Sequence, residues 1–154
     1  MKKPKKDLII ALKSEVLGEA FFRSTYYSTY IFDRKNKARV LWQLEAQTKK
    51  RIIEYFKINS IEIPNLRWVA VKGSILGILC LIVPRYIILQ EILKETEYYL
   101  TVFRRLEREN NVEDKELFQY IVDHEIAIKQ FAKMELKNRD RTNSLELIEA
   151  LLNN

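Results

Sequence analysis

The sequence predicts an all-α fold, and three observations carry that expectation. Hydrophobic residues make up 47% of the chain and charged residues 31%, a mixture suited to amphipathic helices. Only 3 Gly and 3 Pro interrupt it, too few for a strand-and-turn architecture. Along most of the length, apolar residues recur every three or four positions. At 154 residues the chain makes one domain, 1–154, that buries about two-thirds of the surface exposed on unfolding.

The elements follow in order. Residues Met1 to Lys6 form a basic tail, and Asp7 is placed to cap a first helix. That helix runs to about Phe32, with the stripe Leu8, Leu12, Val16, Phe22, Tyr26 and Tyr30. Asp33 to Asn36 breaks the pattern. A second helix carries Val40, Leu41, Leu44, Ile52, Tyr55 and Phe56 on one face and ends near Ile58 to Ser60. Pro64 suits the first turn of the next helix, where a missing N–H is no loss.

Trp68 to Val83 is almost wholly apolar, broken only by Lys72 and Gly73, and Pro84 is expected to kink or divide it. An amphipathic helix then runs through Ile88, Ile92, Tyr99 and Phe103 to about Glu109, and Asn110-Asn111 punctuates. Glu113 to Lys137 is a further helix with the stripe Leu117, Ile121, Ile128 and Phe131. After a turn at Asn138 to Asn143, Ser144 to Leu152 forms a short final helix. The sum is four long helices, a long crossover segment and a short C-terminal helix.

Carboxylates fall on the inward stripes. Glu45 lies at helical spacing among Leu41, Thr48 and Ile52; Glu125 among Ile121, Ile128 and Ala132, beside His124; Glu19 shares a face with Val16, Phe22 and Tyr26. A carboxylate in apolar company needs a partner cation or a suppressed charge. Three of them on three helices point to one polar site. The competing reading places each at a helix margin, paired with Lys or Arg, and makes His124 a histidine bonded to a neighbouring carboxylate such as Asp123 or to a group on another helix.

The stretches Gly18-Glu19-Ala-Phe-Phe, Leu44-Glu45-Ala-Gln-Thr48 and Asp123-His124-Glu125-Ile-Ala-Ile128 resemble the ligand helices of the ferritin-like superfamily. There a four-helix bundle supplies one Glu from each of two helices and Glu-x-x-His from the other two. The resemblance implies a ferritin-like four-helix bundle of bacterial type. Its metal ligands would be Glu19, Glu45, Glu97, Glu125 and His124, with Glu91 and Glu95 the other third-helix candidates. Thr48 and Ile128 stand where histidines belong, and Arg104 stands near the third-helix ligand position, where it could pair with a core carboxylate.

A degenerate di-iron site follows, in a protein that acts by binding or interaction and holds no cofactor. With the site intact the resemblance implies di-iron or di-manganese and an oxygenase or hydroxylase acting on a tRNA or a lipid quinone. Tyr26, Tyr27, Tyr30, Tyr98 and Tyr99 would then be redox partners; otherwise they fill the core.

Net charge is +6, but the basic residues are scattered, as on a solvated face, which argues against nucleic acid as a partner. The 16-residue run Trp68 to Val83 is short for a bilayer span. It reads as a buried arm or a homodimer interface, or, with Arg67, Lys72 and Arg85, as a helix on a membrane surface. Gly73 and Gly77 would let another helix approach closely. The single Cys80 excludes a disulfide within the chain, no secretory h-region follows the basic start, and the expected location is cytoplasmic. Phosphate-binding loops, zinc-finger spacings and nucleophile elbows are absent.

Overall fold

The computed structural model describes residues 6–109, 114–137 and 143–153, and these form an all-α structure of six helices. They are α1 (Lys6–Ser28), α2 (Phe32–Ile58), α3 (Arg67–Leu79), α4 (Arg85–Glu109), α5 (Lys115–Leu136) and α6 (Glu146–Leu152). The basic tail before Lys6, the Asn110-Asn111 punctuation and the turn from Asn138 to Thr142 lie outside the described residues. Helices α1 and α2 pack as one pair and α4 and α5 as another; α1 also touches α4, and α2 touches α5. The short α6 closes against α2 and α5.

Several boundaries differ from the sequence expectation. Asp33 to Asn36 belongs to the first turns of α2, and the chain reverses at Thr29 to Ile31 instead. Asp7 sits inside the first turn of α1 and serves Arg105 of α4, accepting from its guanidinium at 2.5 and 2.8 Å. That ion pair holds the Asp7 carboxyl below its usual range. The end of α2 falls where expected. Ser60 adopts φ 52°, and the amides of Ser60 and Ile61 donate to the carbonyls of Lys57 and Phe56 at 3.1 and 2.8 Å, satisfying two terminal carbonyls. Pro64 lies in the irregular segment before α3, whereas Pro84 stands at the expected division, immediately before α4, where a missing N–H is no loss.

The apolar segment folds as α3 plus the turn that follows, and among the described residues α3 packs on α1 and on no other helix. Its two glycines lie on the α1 backbone. A Cβ on Gly73 would stand 2.5 Å from the Leu17 carbonyl oxygen, and one on Gly77 would strike that of Phe21. The close approach expected of the small residues is thus made within the chain, to Ala20 and Ser24 of α1. On the far side Trp68 (84%), Ile78 and Ile82 (79%) stay exposed. Among the described residues no helix is long and apolar enough to cross a membrane.

The interior divides into two apolar clusters. One contains Leu8, Leu12, Ile52, Phe56, Phe103 and Ile121, the other Phe22, Leu41, Leu44, Leu89, Ile128 and Phe131. On α1, α2 and α5 the buried residues between these clusters are polar and form one layer across the interior. At the far end Glu135 ties three elements together, meeting Arg85 of α4, Lys37 of α2 at 3.0 Å and Ser144 at 2.5 Å.

Candidate metal centre

The polar layer is built from Glu15 of α1, Glu45 and Thr48 of α2, and His124 and Glu125 of α5, all buried. His124 Nε2 lies 3.6 Å from a Glu15 oxygen, 3.7 Å from one of Glu45 and 3.8 Å from one of Glu125. Each distance is too long for a hydrogen bond. One donor atom from each of Glu15, Glu45 and His124 lies within 4.8 Å of the others.

The imidazole is oriented from behind. Thr48 Oγ1 stands 2.7 Å from His124 Nδ1 and donates its own proton to the Leu44 carbonyl at 3.0 Å. A hydroxyl has one proton to give. The Thr48 oxygen therefore accepts from Nδ1–H, and Nε2 carries the lone pair that faces the three carboxyls. Burial holds His124 neutral, its pKa lowered to about 3.

Burial raises all three carboxyls. Glu15 is pushed up to about 8 by desolvation, against the lowering effect of its hydrogen bonds with Glu45 and Ser14. Glu45 rises well above its ordinary value through desolvation and the neighbouring Glu15 and Glu125 charges, and Glu125 rises through desolvation with Glu15 and Glu95 nearby. Without a cation, then, the layer holds protons. Glu15 Oε2 has no hydrogen-bond partner although fully buried. An orphaned carboxylate oxygen in such a place costs about 1–3 kcal/mol or more.

These donors fit a metal ion. Two ligands each about 2.1 Å from one ion stand about 3.4 Å apart in tetrahedral geometry, close to the 3.6 to 3.8 Å between Nε2 and the carboxyl oxygens. The imidazole with its second nitrogen held by an outer group is the arrangement metal-ligating histidines adopt. The Glu45 carboxyl is seated directly on α1, where a Cβ on Gly18 would lie 2.5 Å from its Cδ and Oε1.

Of the sequence-predicted ligands the structure brings Glu45, Glu125 and His124 together. Glu19 lies one turn beyond Glu15 and is ion-paired with Lys49 of α2, as the margin reading expects. Glu97 is exposed and pairs with Lys129 at 3.2 Å. Arg104 is exposed and, among the described residues, meets no core carboxylate. On α4 the exposed Glu95 charge helps burial to raise Glu125 and Tyr99, and Glu95 and Tyr99 both line a cleft that reaches Glu15. Tyr27, Tyr30 and Tyr98 are exposed and Tyr26 is half-buried against Trp42. His124 and Glu125 are successive residues, about 100° apart round the helix. A Glu125 oxygen still comes within 3.8 Å of His124 Nε2, although the close group itself is Glu15, Glu45 and His124.

Sequence reasoning missed Glu15. Its signal was its place seven residues before Phe22 and three after Leu12, in phase with two core positions. Compared with protein-family models, with characterised proteins and with solved structures, the chain matches none.

Proposed function

We propose that this is a metal-binding four-helix-bundle protein of ferritin-like type, in which a two-ion site has been reduced to a centre for one divalent first-row ion. The ligands are Glu15, Glu45, Glu125 and His124. The observation that carries this reading is Glu15 Oε2, buried without a hydrogen-bond partner 3.6 Å from His124 Nε2. Three carboxylates and one imidazole form a mixed oxygen and nitrogen set that suits Fe(II), Mn(II) or Zn(II). Two ions need about six ligating side chains. Here Thr48 and Ile128 occupy the would-be histidine positions, one orienting His124 and the other packed in the apolar cluster.

Such an ion would supply Lewis acidity and, as iron or manganese, redox chemistry. The chain's own residues do the rest. Thr48 fixes the imidazole, Gly18 leaves room for the Glu45 carboxyl, and the two apolar clusters exclude water on either side. Because the carboxyls hold protons when no cation is bound, metal must displace them, and affinity rises as pH climbs toward about 8.

A catalytic reading has one observation in its favour. The cleft between α3 and α4 reaches Glu15, Glu45 and Glu125, so a small molecule can approach the ligands.

Metal analysis of the purified protein, followed by optical titration with Co(II) at pH 7.5, tests the assignment. One ion per chain is expected, lost in Glu45→Ala. Two ions per chain would restore the intact di-iron reading, and no stoichiometric ion would leave the layer as a proton-sharing network.

A further inference from the structure

The cleft that opens onto Glu15 is far larger than a metal ion needs. Helices α3 and α4 diverge from the turn at Cys80 to Pro84 and do not pack on each other among the described residues, so α1 is exposed as a floor between them. The space measures about 490 Å3, within the roughly 300–1,000 Å3 of small-molecule sites. Its two ends differ in chemistry. Away from the polar layer the walls are Phe22, Leu76, Leu79, Val83, Ile88 and Ile92, and the inner end carries the carboxyls of Glu15, Glu45 and Glu125.

The length follows from the helices. From Glu95 to Ile88 on α4, and from Lys72 to Leu79 on α3, seven residues span about 10 Å at ~1.5 Å each. An extended chain of carbons joined by ~1.5 Å bonds fills that length with about eight atoms. At the inner end and rim stand Glu91 and Glu95, against Lys72 as the single cation among the lining residues. That balance disfavours an anionic head. Glu15 Oε2, buried and unpartnered at the same end, calls for a donor or a cation, which a purely apolar occupant cannot offer.

We infer that this cleft seats the single alkyl chain of a small amphiphile, with an uncharged or cationic polar end directed at the carboxyl layer. For the polar end to reach an ion, the inference rests on the metal-centre reading above; for the seating of the chain it stands on the cleft alone.

The probes are octan-1-ol, octylamine and octanoate, titrated into EDTA-treated and Zn(II)-loaded protein and followed by methyl NMR. Octanol and octylamine are expected to shift the methyl signals of Leu76, Ile88 and Ile92 saturably in the metal-free protein, with octanoate about tenfold weaker or more. Ile88→Trp, which fills the cleft, is expected to weaken octanol about tenfold with Zn(II) affinity unchanged. Should that variant lose its helical circular dichroism, Leu76→Phe takes its place.

Shifts confined to Ile78 and Ile82 on the outer face of α3, unchanged affinity in the filled variant, or no saturable shift would each overturn the proposal. So would octanoate binding the metal-free protein as tightly as octanol. Failure of the metal centre shows separately, as absence of Zn(II) binding in the unmodified protein, and the metal-free titration still decides the fate of the chain-binding cleft.

Discussion

Replacing Glu15 by glutamine is the sharpest single perturbation, because it separates the carboxyl's shape from its charge. In the metal-free protein burial raises this group from 4.5 to about 8. An acid whose folded pKa is raised contributes stability that is fully present below its unfolded value and lost as pH rises toward the folded one. At pH 7 the folded chain must therefore hold a proton that the unfolded chain releases. Each pH unit above the unfolded value costs about 1.4 kcal/mol, so the whole penalty at pH 7 is about 3 kcal/mol. Glutamine has nearly the same shape, carries no such penalty, and can donate to Glu45. Glu15→Gln should stabilise the EDTA-treated protein by about 2–3 kcal/mol at pH 7, or about 5–10 °C in Tm for a domain of this size. The gain should vanish by pH 4.5, and the variant should no longer bind metal. Thermal unfolding by circular dichroism at pH 4.5, 6 and 7 measures all of this. A variant less stable than the parent at pH 7 would refute the reasoning, and so would a gain of equal size at pH 4.5, since neither is compatible with a buried carboxyl that takes up a proton on folding.

Two further substitutions probe how the ligands are held. Thr48→Val keeps the volume but removes the acceptor for His124 Nδ1–H; metal affinity should fall about 10–100-fold, and the orphaned N–H should destabilise the metal-free protein by about 1–3 kcal/mol. Calorimetric titration with Zn(II) and chemical denaturation read the two effects, and an unchanged affinity would show that this hydrogen bond does not set the ring. Gly18→Ala places a methyl group where the Glu45 carboxyl now lies, 2.5 Å away. Metal affinity should drop while Tm stays within a few degrees, because alanine gains up to about 1 kcal/mol of helix propensity over glycine; equal metal affinity would mean that Glu45 does not rest on α1.

Much of the helix pattern was legible from local periodicity. The second helix and the amphipathic fourth each have one apolar face, and their extents follow from it to within a few residues. Glu45 and Glu125 were legible as interior carboxyls for the same reason: their neighbours three, four and seven positions away, Leu41, Thr48 and Ile52, and Ile121, Ile128 and Ala132, are all buried. A side chain flanked on its own face by core residues has nowhere else to point. The boundary errors arose where a residue has two uses. Asp33 to Asn36 reads as a break by polarity, yet a polar first turn is ordinary in a helix whose core contacts begin later, at Ala38 and Val40.

The sequence by itself determined an all-α chain, the inward direction of Glu45 and Glu125, and the close-packing face of Gly73 and Gly77. Only the tertiary structure decided that Glu15 and not Glu19 completes the group, that His124 joins it, and that a cleft leads there. The reason lies in α1. Helices α2 and α3 cover it on two sides, so its apolar residues spread around the circumference and leave no single stripe from which to read a phase. Glu15 and Glu19 are four residues apart, only about 40° round the helix and about 6 Å along it, so a small rotation or shift of α1 decides which of them reaches the layer. That rotation is set by Gly73 and Gly77 resting on the Leu17 and Phe21 carbonyls, a contact between residues more than fifty positions apart that no local pattern can encode.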